Sequence, residues 1–338
     1  MGDTSANKKN VMVLGGAGFI GSHLCESLLE DSRVICVDNL SNSTSANIEH
    51  LLAHPDFVFI KHDITQPLDF ATLPVYERFK LQVRGVQEVY HLACPMSVRN
   101  FRLMRVPILL AHSLGIKNTL DWAMQYKSKI IFASSSAVYG QRYSDVPVKE
   151  TDIGITNHLQ SRAAYDESKR FAETMLTIYA DALSLDVRIA RIFRTYGPRL
   201  KMFDDQMINE FVLSAMDGEP MTIYGTEAFR TSLVYVTDVV SALVKLAKAP
   251  QGIGPINIGG DEEYYMKDVA ARVNTIMGSA VAIQYQAPLE FLSEHPMPDI
   301  THAKESLGWM PLMRLDNGLE RMIDYVTANR HRLIYEGG

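Results

Sequence analysis

Tyr165-Asp-Glu-Ser-Lys169 sets a phenol and an ammonium four residues apart, which on a helix is a single face. A positive charge nearby stabilises a phenolate. A tyrosine tuned this way can take the proton of a substrate hydroxyl while a hydride leaves the same carbon. The spacing alone recurs by chance in many helices. A second cluster strengthens it: Ala133-Ser-Ser-Ser-Ala-Val-Tyr-Gly140 closes a predicted strand. A serine hydroxyl at the carboxyl end of a strand, where open α/β sheets bind ligands, can hold the same substrate oxygen and orient it. Spacing does not say which of the three serines does so.

Hydride chemistry needs an acceptor, and the first glycines of the chain offer a seat for one. Val11-Met-Val-Leu-Gly-Gly-Ala-Gly-Phe-Ile-Gly21 puts Gly15, Gly16, Gly18 and Gly21 between a strand pattern and a helix pattern. Positions without a Cβ let the backbone turn tightly and approach a pyrophosphate at the helix N-terminus. Asp38 ends Val34-Ile-Cys-Val-Asp38, 20 residues beyond Gly18. Its carboxylate can accept from both ribose hydroxyls of an adenosine and would repel a 2′-phosphate. Asn39-Leu-Ser-Asn42 contains no arginine to offset that repulsion. Strand, glycine loop, helix and acid together predict NAD rather than NADP.

The elements that position these groups are legible as alternating patterns. Candidate strands are Val11–Leu14, Val34–Val37, Phe57–Ile60, Glu88–Leu92, Ile130–Ser134 and Val187–Ile192, with helical stretches at Ile20–Leu29, near Arg105–Tyr126 and near Arg162–Leu183. Strands alternating with helices of this length predict an α/β fold, a doubly wound parallel sheet of the Rossmann type with right-handed crossovers. After about Thr195 the rhythm becomes irregular, which predicts a second, smaller α/β lobe built from separate pieces. The expected division is a dinucleotide-binding domain over 1–195, with a returning segment near 232–260, and a substrate lobe over the remainder of 196–338. No linker separates the two, so they should share a cleft. Asp316 reads as the N-cap of a terminal helix whose apolar face is Leu319, Met322, Ile323 and Val326.

Composition narrows the function classes. The chain has 338 residues, 47% of them hydrophobic and 21% charged, an ordinary globular balance. A net charge of −6 argues against a nucleic-acid platform, which usually shows a basic excess. Cys25, Cys36 and Cys94 fall in or beside apolar segments without metal-ligand spacing and read as buried thiols of a reducing compartment. The start MGDTSANKKN lacks a secretory apolar core, and no apolar run is long enough to span a bilayer. A cytoplasmic protein with no membrane partner and no metal is expected.

Taken together, these residues resemble the NAD-dependent extended short-chain dehydrogenases that act on nucleotide sugars, the epimerase/dehydratase family. The resemblance covers nearly the whole chain: Gly15-x-x-Gly18-x-x-Gly21, His62-Asp63-Ile64, His91-Leu92-Ala93, Ser134 to Gly140, Tyr165-x-x-x-Lys169, Ala190 to Arg199 and Pro298 to Trp309. Within the family the chain is most similar to the UDP-glucuronate decarboxylases, through Asn47–Leu52, Tyr165-Asp-Glu-Ser-Lys-Arg170 and Gly218-Glu-Pro-Met-Thr-Ile-Tyr-Gly225. Counting back from Val138-Tyr-Gly140, the resemblance places the catalytic hydroxyl on Ser135, beside Tyr165 and Lys169. It implies cofactor contacts at Gly15, Gly18, Phe19, Ile20, Gly21, Asp38, Asn39, Asp63, Ile64, Leu92 and Ala93, as well as Tyr165 and Lys169. It implies substrate contacts at Ser136, Arg194, Arg199, Tyr224 and Arg230, and a homodimer formed through the two long helical regions.

The same comparison marks departures. Decarboxylases of the family carry a glutamate where Ala137 stands and an arginine in the segment matching Asp204-Asp-Gln206. Asparagine is usual at Arg194, and arginines are usual at Thr231 and Pro296. Residues 69–87 exceed the family counterpart by about a helix, a kind of insertion that usually decorates a surface or an interface. The implied chemistry is oxidation of the sugar C4 hydroxyl to a 4-keto intermediate. Overall similarity favours subsequent loss of a C5 carboxylate, whereas Ala137 and Gln206 favour a 4-epimerase or a plain C4 oxidoreductase. Ser136 and Ala137 cannot supply the acid–base pair of a dehydratase. The remaining class is a non-catalytic NAD-binding sensor or scaffold, for which an intact Ser135, Tyr165 and Lys169 would be superfluous.

Overall fold

The computed structural model describes residues 8–336 apart from residues 205, 290 and 293, with side chains described as far as residue 331. Its first half is β1 (Lys9–Leu14), α1 (Phe19–Leu28), β2 (Ser32–Asp38), β3 (Phe57–Lys61), α2 (Pro74–Arg78), α3 (Leu81–Arg84), β4 (Glu88–His91), α4 (Phe101–Ala111), α5 (Leu114–Tyr126), β5 (Lys129–Ser135), α6 (Ala163–Leu183) and β6 (Val187–Ile192). The second half adds β7 (Thr195–Tyr196), α7 (Met207–Asp217), β8 (Met221–Tyr224), β9 (Arg230–Ser232), β10 (Val234–Tyr235), α8 (Val236–Lys248) and β11 (Pro255–Ile258). It ends with β12 (Glu263–Tyr265), α9 (Met266–Met277), β13 (Ile283–Gln286), α10 (Thr301–Leu307) and α11 (Leu315–Glu336).

Seven strands form one parallel sheet in the order β11-β6-β5-β4-β1-β2-β3. The reversal beside β1 brings the loops after β1 and β4 to the crevice where doubly wound sheets bind ligands. Continuous apolar runs such as Val34-Ile-Cys-Val suit strands covered on both faces, and all four of these residues are fully buried. On one face Leu24, Val34, Val239 and Leu243 share a core, so α8 and β11 return to the sheet after the chain has left it. The other pieces make three two-stranded sheets, β10–β7, β12–β9 and β13–β8. These pack with Phe211, Val212, Val269, Leu319 and Met322 from α7, α9 and α11.

Three expectations need correction. The helix expected near Arg105–Tyr126 is two, α4 and α5, broken at His112 and Ser113. Pro107 lies inside α4 and has no N–H for the carbonyl four residues back. At the break the Ser113 hydroxyl donates to Leu109 O at 2.7 Å, while the His112 ring turns inward to Ser168 Oγ at 3.0 Å. The terminal helix begins at Leu315, so Asp316 sits in its first turn and accepts from Arg272 at 2.7 Å instead of capping. Residues 69–87 are not mere decoration. Phe70, Val75, Phe79, Leu81 and Val86 are buried and pack with Trp122 against Ile35, Val37 and Val89. The extra residues close one face of the sheet.

Candidate active site

The carboxyl ends of β1, β2, β4, β5 and β6 open into a cavity of about 840 Å³, the size of a small-molecule site. Gly15 turns there with φ +79°, and a Cβ on it would come within 2.7 Å of Ala93 N. A Cβ on Gly21 would lie 2.1 Å from Gly15 O. Only glycine fits either place, which leaves a bare backbone cradle at the start of α1.

Asp38 stands at the end of β2 beside that cradle. Its Oδ2 accepts from Ala17 N at 3.0 Å, and Oδ1 from Leu40 N at 2.8 Å and Ser43 Oγ at 2.7 Å. These bonds fix a carboxylate in the cavity wall, where a ribose diol fits and a 2′-phosphate would be repelled. Asp63 is held by Thr65 N at 2.9 Å and by Asn39 Nδ2 at 3.1 Å. Burial would raise its pKa, but these donors outweigh it and leave Asp63 below its usual range. Phe19, Ile20, Asn39, Ile64, Leu92 and Ala93 line the same half of the cavity. The cradle and the acid fit NAD.

At the other half, β5 ends on Ser135, whose Oγ accepts from Ala137 N at 3.2 Å and faces the Tyr165 phenol. Tyr165 and Lys169 project from the first two turns of α6. Lys169 Nζ donates to Ala133 O at 2.7 Å and lies 5.8 Å from the Tyr165 ring centre. The electrostatics differ from the simple lysine–tyrosine expectation. Burial comes first and drives the Tyr165 phenol up, with the Cys94 thiol adding to it; the Ser135 hydroxyl and Arg162 oppose the rise. Burial likewise lowers Lys169. Both shifts disfavour the phenolate, so the use of Tyr165 as a base depends on the positive charge held close to it.

Several residues that the sequence did not single out complete this end. Arg162 precedes α6 and is buried: Nε donates to Asp166 at 3.1 Å, Nη1 donates to Phe291 O, and Nη2 bonds His295 Nε2 at 2.9 Å. Its position one turn before Tyr165 was a readable signal. Phe291 and His295 lie in an irregular segment with none. Cys94 lines the cavity, and Asp204 Oδ2 accepts from Val98 N at 3.1 Å.

The structure brings together all the expected cofactor and catalytic residues, as well as Ser136, Arg194 and Arg199. Tyr224 and Arg230 do not line the cavity. Arg230 is engaged elsewhere, donating to Asp145 at 2.6 Å and lying 3.4 Å from Glu263. Of the two positions where the decarboxylases carry a charge, Gln206 faces the cavity, whereas Ala137 is fully buried and does not line it.

The cradle and the acid at the end of β2 suit a dinucleotide, and the Ser–Tyr–Lys group a substrate hydroxyl, at the ligand-binding edge of a doubly wound sheet. The model of the NAD dependent epimerase/dehydratase family matches residues 11–259, and the chain belongs to that family. It is 34% identical over 320 residues to UDP-glucuronic acid decarboxylase 1 of Xenopus tropicalis, covering 94% of this chain and 72% of that one. It is 35% identical over 314 residues to UDP-glucuronic acid decarboxylase 5 of Arabidopsis thaliana, covering 92% and 87%. Among solved structures, UDP-glucuronic acid 4-epimerase from Bacillus cereus, in complex with UDP-glucuronic acid and NAD, superposes with a TM-score of 0.82 at 26% identity, covering 94% and 99%. UDP-glucose 4-epimerase from Thermotoga maritima, with UDP-glucose, does so with a TM-score of 0.82 at 27% identity, covering 95% and 99%.

Proposed function

We propose that the chain is an NAD-dependent enzyme that oxidises C4 of a nucleotide-linked sugar, most like the UDP-glucuronate decarboxylases. The observation that carries this is the convergence of Ser135, Tyr165 and Lys169 on one cavity with the glycine cradle and Asp38. NAD, when bound, supplies the hydride acceptor. Gly15, Gly18, Gly21 and Phe19 would hold its pyrophosphate side, Asp38 its adenosine ribose, and Asp63 with Ile64 its adenine. Ser135 then orients the C4 oxygen and Tyr165 takes its proton. Lys169, anchored on Ala133, keeps a positive charge beside the phenol. A C5 carboxylate on the 4-keto sugar is a β-keto acid and can leave as carbon dioxide.

A second reading has support from two residues. Ala137 and Gln206 offer no charge to handle a departing carboxylate, which favours return of the hydride to the opposite face and a C4 epimer. A sensor or scaffold would have no use for the complete Ser–Tyr–Lys group. The same reading divides the chain into an NAD-binding domain over 1–195, with the returning segment near 232–260, and a substrate lobe. It makes the protein a cytoplasmic homodimer; among the described residues no helix is long and apolar enough to cross a membrane. The dimer is supported by Leu103, Val106, Leu109, Phe171 and Ile178, all exposed on α4 and α6. Incubation with a panel of nucleotide sugars, following NADH absorbance and product mass, tests the function. UDP-glucuronate should give a transient NADH signal and a product of altered mass or configuration. No reaction with any nucleotide sugar would contradict it.

A further inference from the structure

Tyr165 is approached by Ser135 from the end of β5 and by Lys169 one turn further along α6. A further contact comes from a residue that can neither take nor give a proton. The Phe291 ring meets the Tyr165 ring edge-on, with centroids 5.5 Å apart and planes at 76°. Phe291 is buried, lines the cavity and lies between β13 and α10, so it reaches the phenol from the second lobe. Tyr165 itself projects from α6, beside the parallel sheet.

Phe291 is held in place from two helices. The ring of Phe101, the first residue of α4, packs against it at 4.6 Å, and the Arg162 guanidinium lies 4.7 Å over it. Arg162 Nη1 also donates to the Phe291 carbonyl, and Arg162 Nε is tied to Asp166 at 3.1 Å. A ring clamped in this way does two things to the phenol beside it. It restricts rotation of the Tyr165 ring, and it displaces water from one side, which disfavours the phenolate. Among the described residues, the other charged or titratable groups around this end are Cys94 after β4, Arg162, Asp166 and Lys169 at the start of α6, Arg194 after β6, and His295 beyond Phe291. Replacing the Phe291 side chain removes none of them.

We infer that Phe291 is a positioning residue for the proton acceptor: the second lobe supplies the apolar wall that orients Tyr165 and shields it from water. The acid–base site is then assembled from both lobes, with one ring of the substrate lobe acting through the phenol of the cofactor lobe. The inference rests on the C4-oxidation reading above and adds to it a residue outside the Ser–Tyr–Lys group.

Single-turnover NADH formation by the NAD-loaded enzyme with UDP-glucuronate, followed from about pH 6 to about pH 9, tests it. Phe291→Ala should form NADH at least roughly tenfold more slowly at the high-pH plateau, because the phenol is no longer held in place. The acid limb of its profile should move to lower pH, because water admitted beside the phenol favours the phenolate. Phe291→Leu keeps an apolar wall and should hold the limb where the parent has it, with a smaller loss of rate. NAD affinity of both variants should stay within about threefold of the parent, which reports an intact fold. Parental rate and limb in Phe291→Ala would overturn the inference. So would a slower enzyme whose limb stays in place, or one whose NAD affinity falls in parallel with its rate. In each of those cases a parent that forms NADH leaves the functional reading standing. A parent that forms no NADH, or a Tyr165→Phe variant that forms it as fast, defeats that reading and the inference with it.

Discussion

Lys169 Nζ donates to the Ala133 carbonyl at 2.7 Å, so one buried bond ties the helix carrying Tyr165 to the strand that ends on Ser135. The bond fixes a positive charge beside the phenol and sets the spacing of the catalytic elements. Lys169→Met should therefore reduce turnover and loosen NAD as well. Tyr165→Phe removes only the proton acceptor and should lower turnover by roughly a hundredfold to ten-thousandfold with NAD affinity nearly intact. Steady-state rates together with NAD titrations separate the two. Near-normal activity of the phenylalanine variant would reject the assignment.

Asp38 predicts the choice of cofactor. Its carboxylate is held in the cavity wall by Ala17, Leu40 and Ser43, so it cannot swing away from a 2′-phosphate without breaking those bonds. Calorimetry should show NAD binding at least about tenfold more tightly than NADP. Equal or tighter NADP binding would contradict this.

Much of this arrangement was legible in the sequence because it is local. The glycine spacing, the acid at the end of β2 and the four-residue step from Tyr165 to Lys169 each lie within one strand–turn–helix unit. All six predicted strands are present in the parallel sheet. The failures are tertiary. The break at His112 depends on Ser168 of another helix, and Arg230 is drawn off by Asp145 and Glu263. Arg162 gains its importance from Phe291 and His295, more than a hundred residues away, in a segment without periodicity.

Stability should fall in mild acid. His91 is fully buried, and burial first, then Lys169, lowers its pKa to about 3; burial first, then Arg199, lowers His23 to about 4. The unfolded chain takes up protons near the ordinary histidine pKa of ~6.5 while the folded chain refuses them, so the stability present above that pH is lost as pH falls towards the folded values. Between about pH 6.5 and 5 the loss should be roughly 2 kcal/mol for His91 and somewhat less for the partly exposed His23. Urea denaturation at both pH values measures it, and His91→Gln should flatten the dependence. An unaltered slope in that variant would refute the assignment.

The proposed dimer makes a separate prediction. Val106 and Phe171 are 63% and 52% exposed on α4 and α6. Placing lysines at both should leave a folded monomer by light scattering, whereas the native chain should scatter as a dimer at micromolar concentration. A native monomer would count against the assignment.

The outcome after C4 oxidation can be read with UDP-glucuronate labelled at the carboxyl carbon. If Ala137 and Gln206 have removed the decarboxylating apparatus, the native enzyme should release label slowly. Ala137→Glu combined with Gln206→Arg should then speed release. Release from the native enzyme in step with product formation would show the two substitutions to be harmless and support the decarboxylase.

Either outcome presupposes hydride abstraction from C4, and that step is open to direct measurement. The NAD-loaded enzyme is mixed with UDP-glucuronate carrying deuterium at C4, and NADH absorbance is followed through a single turnover. The structure predicts a transient NADH signal that forms several-fold more slowly than with the protium substrate, with deuterium returned to C4 of the product. Product formed without NADH, or with the C4 deuterium lost to solvent, would contradict C4 oxidation by this site.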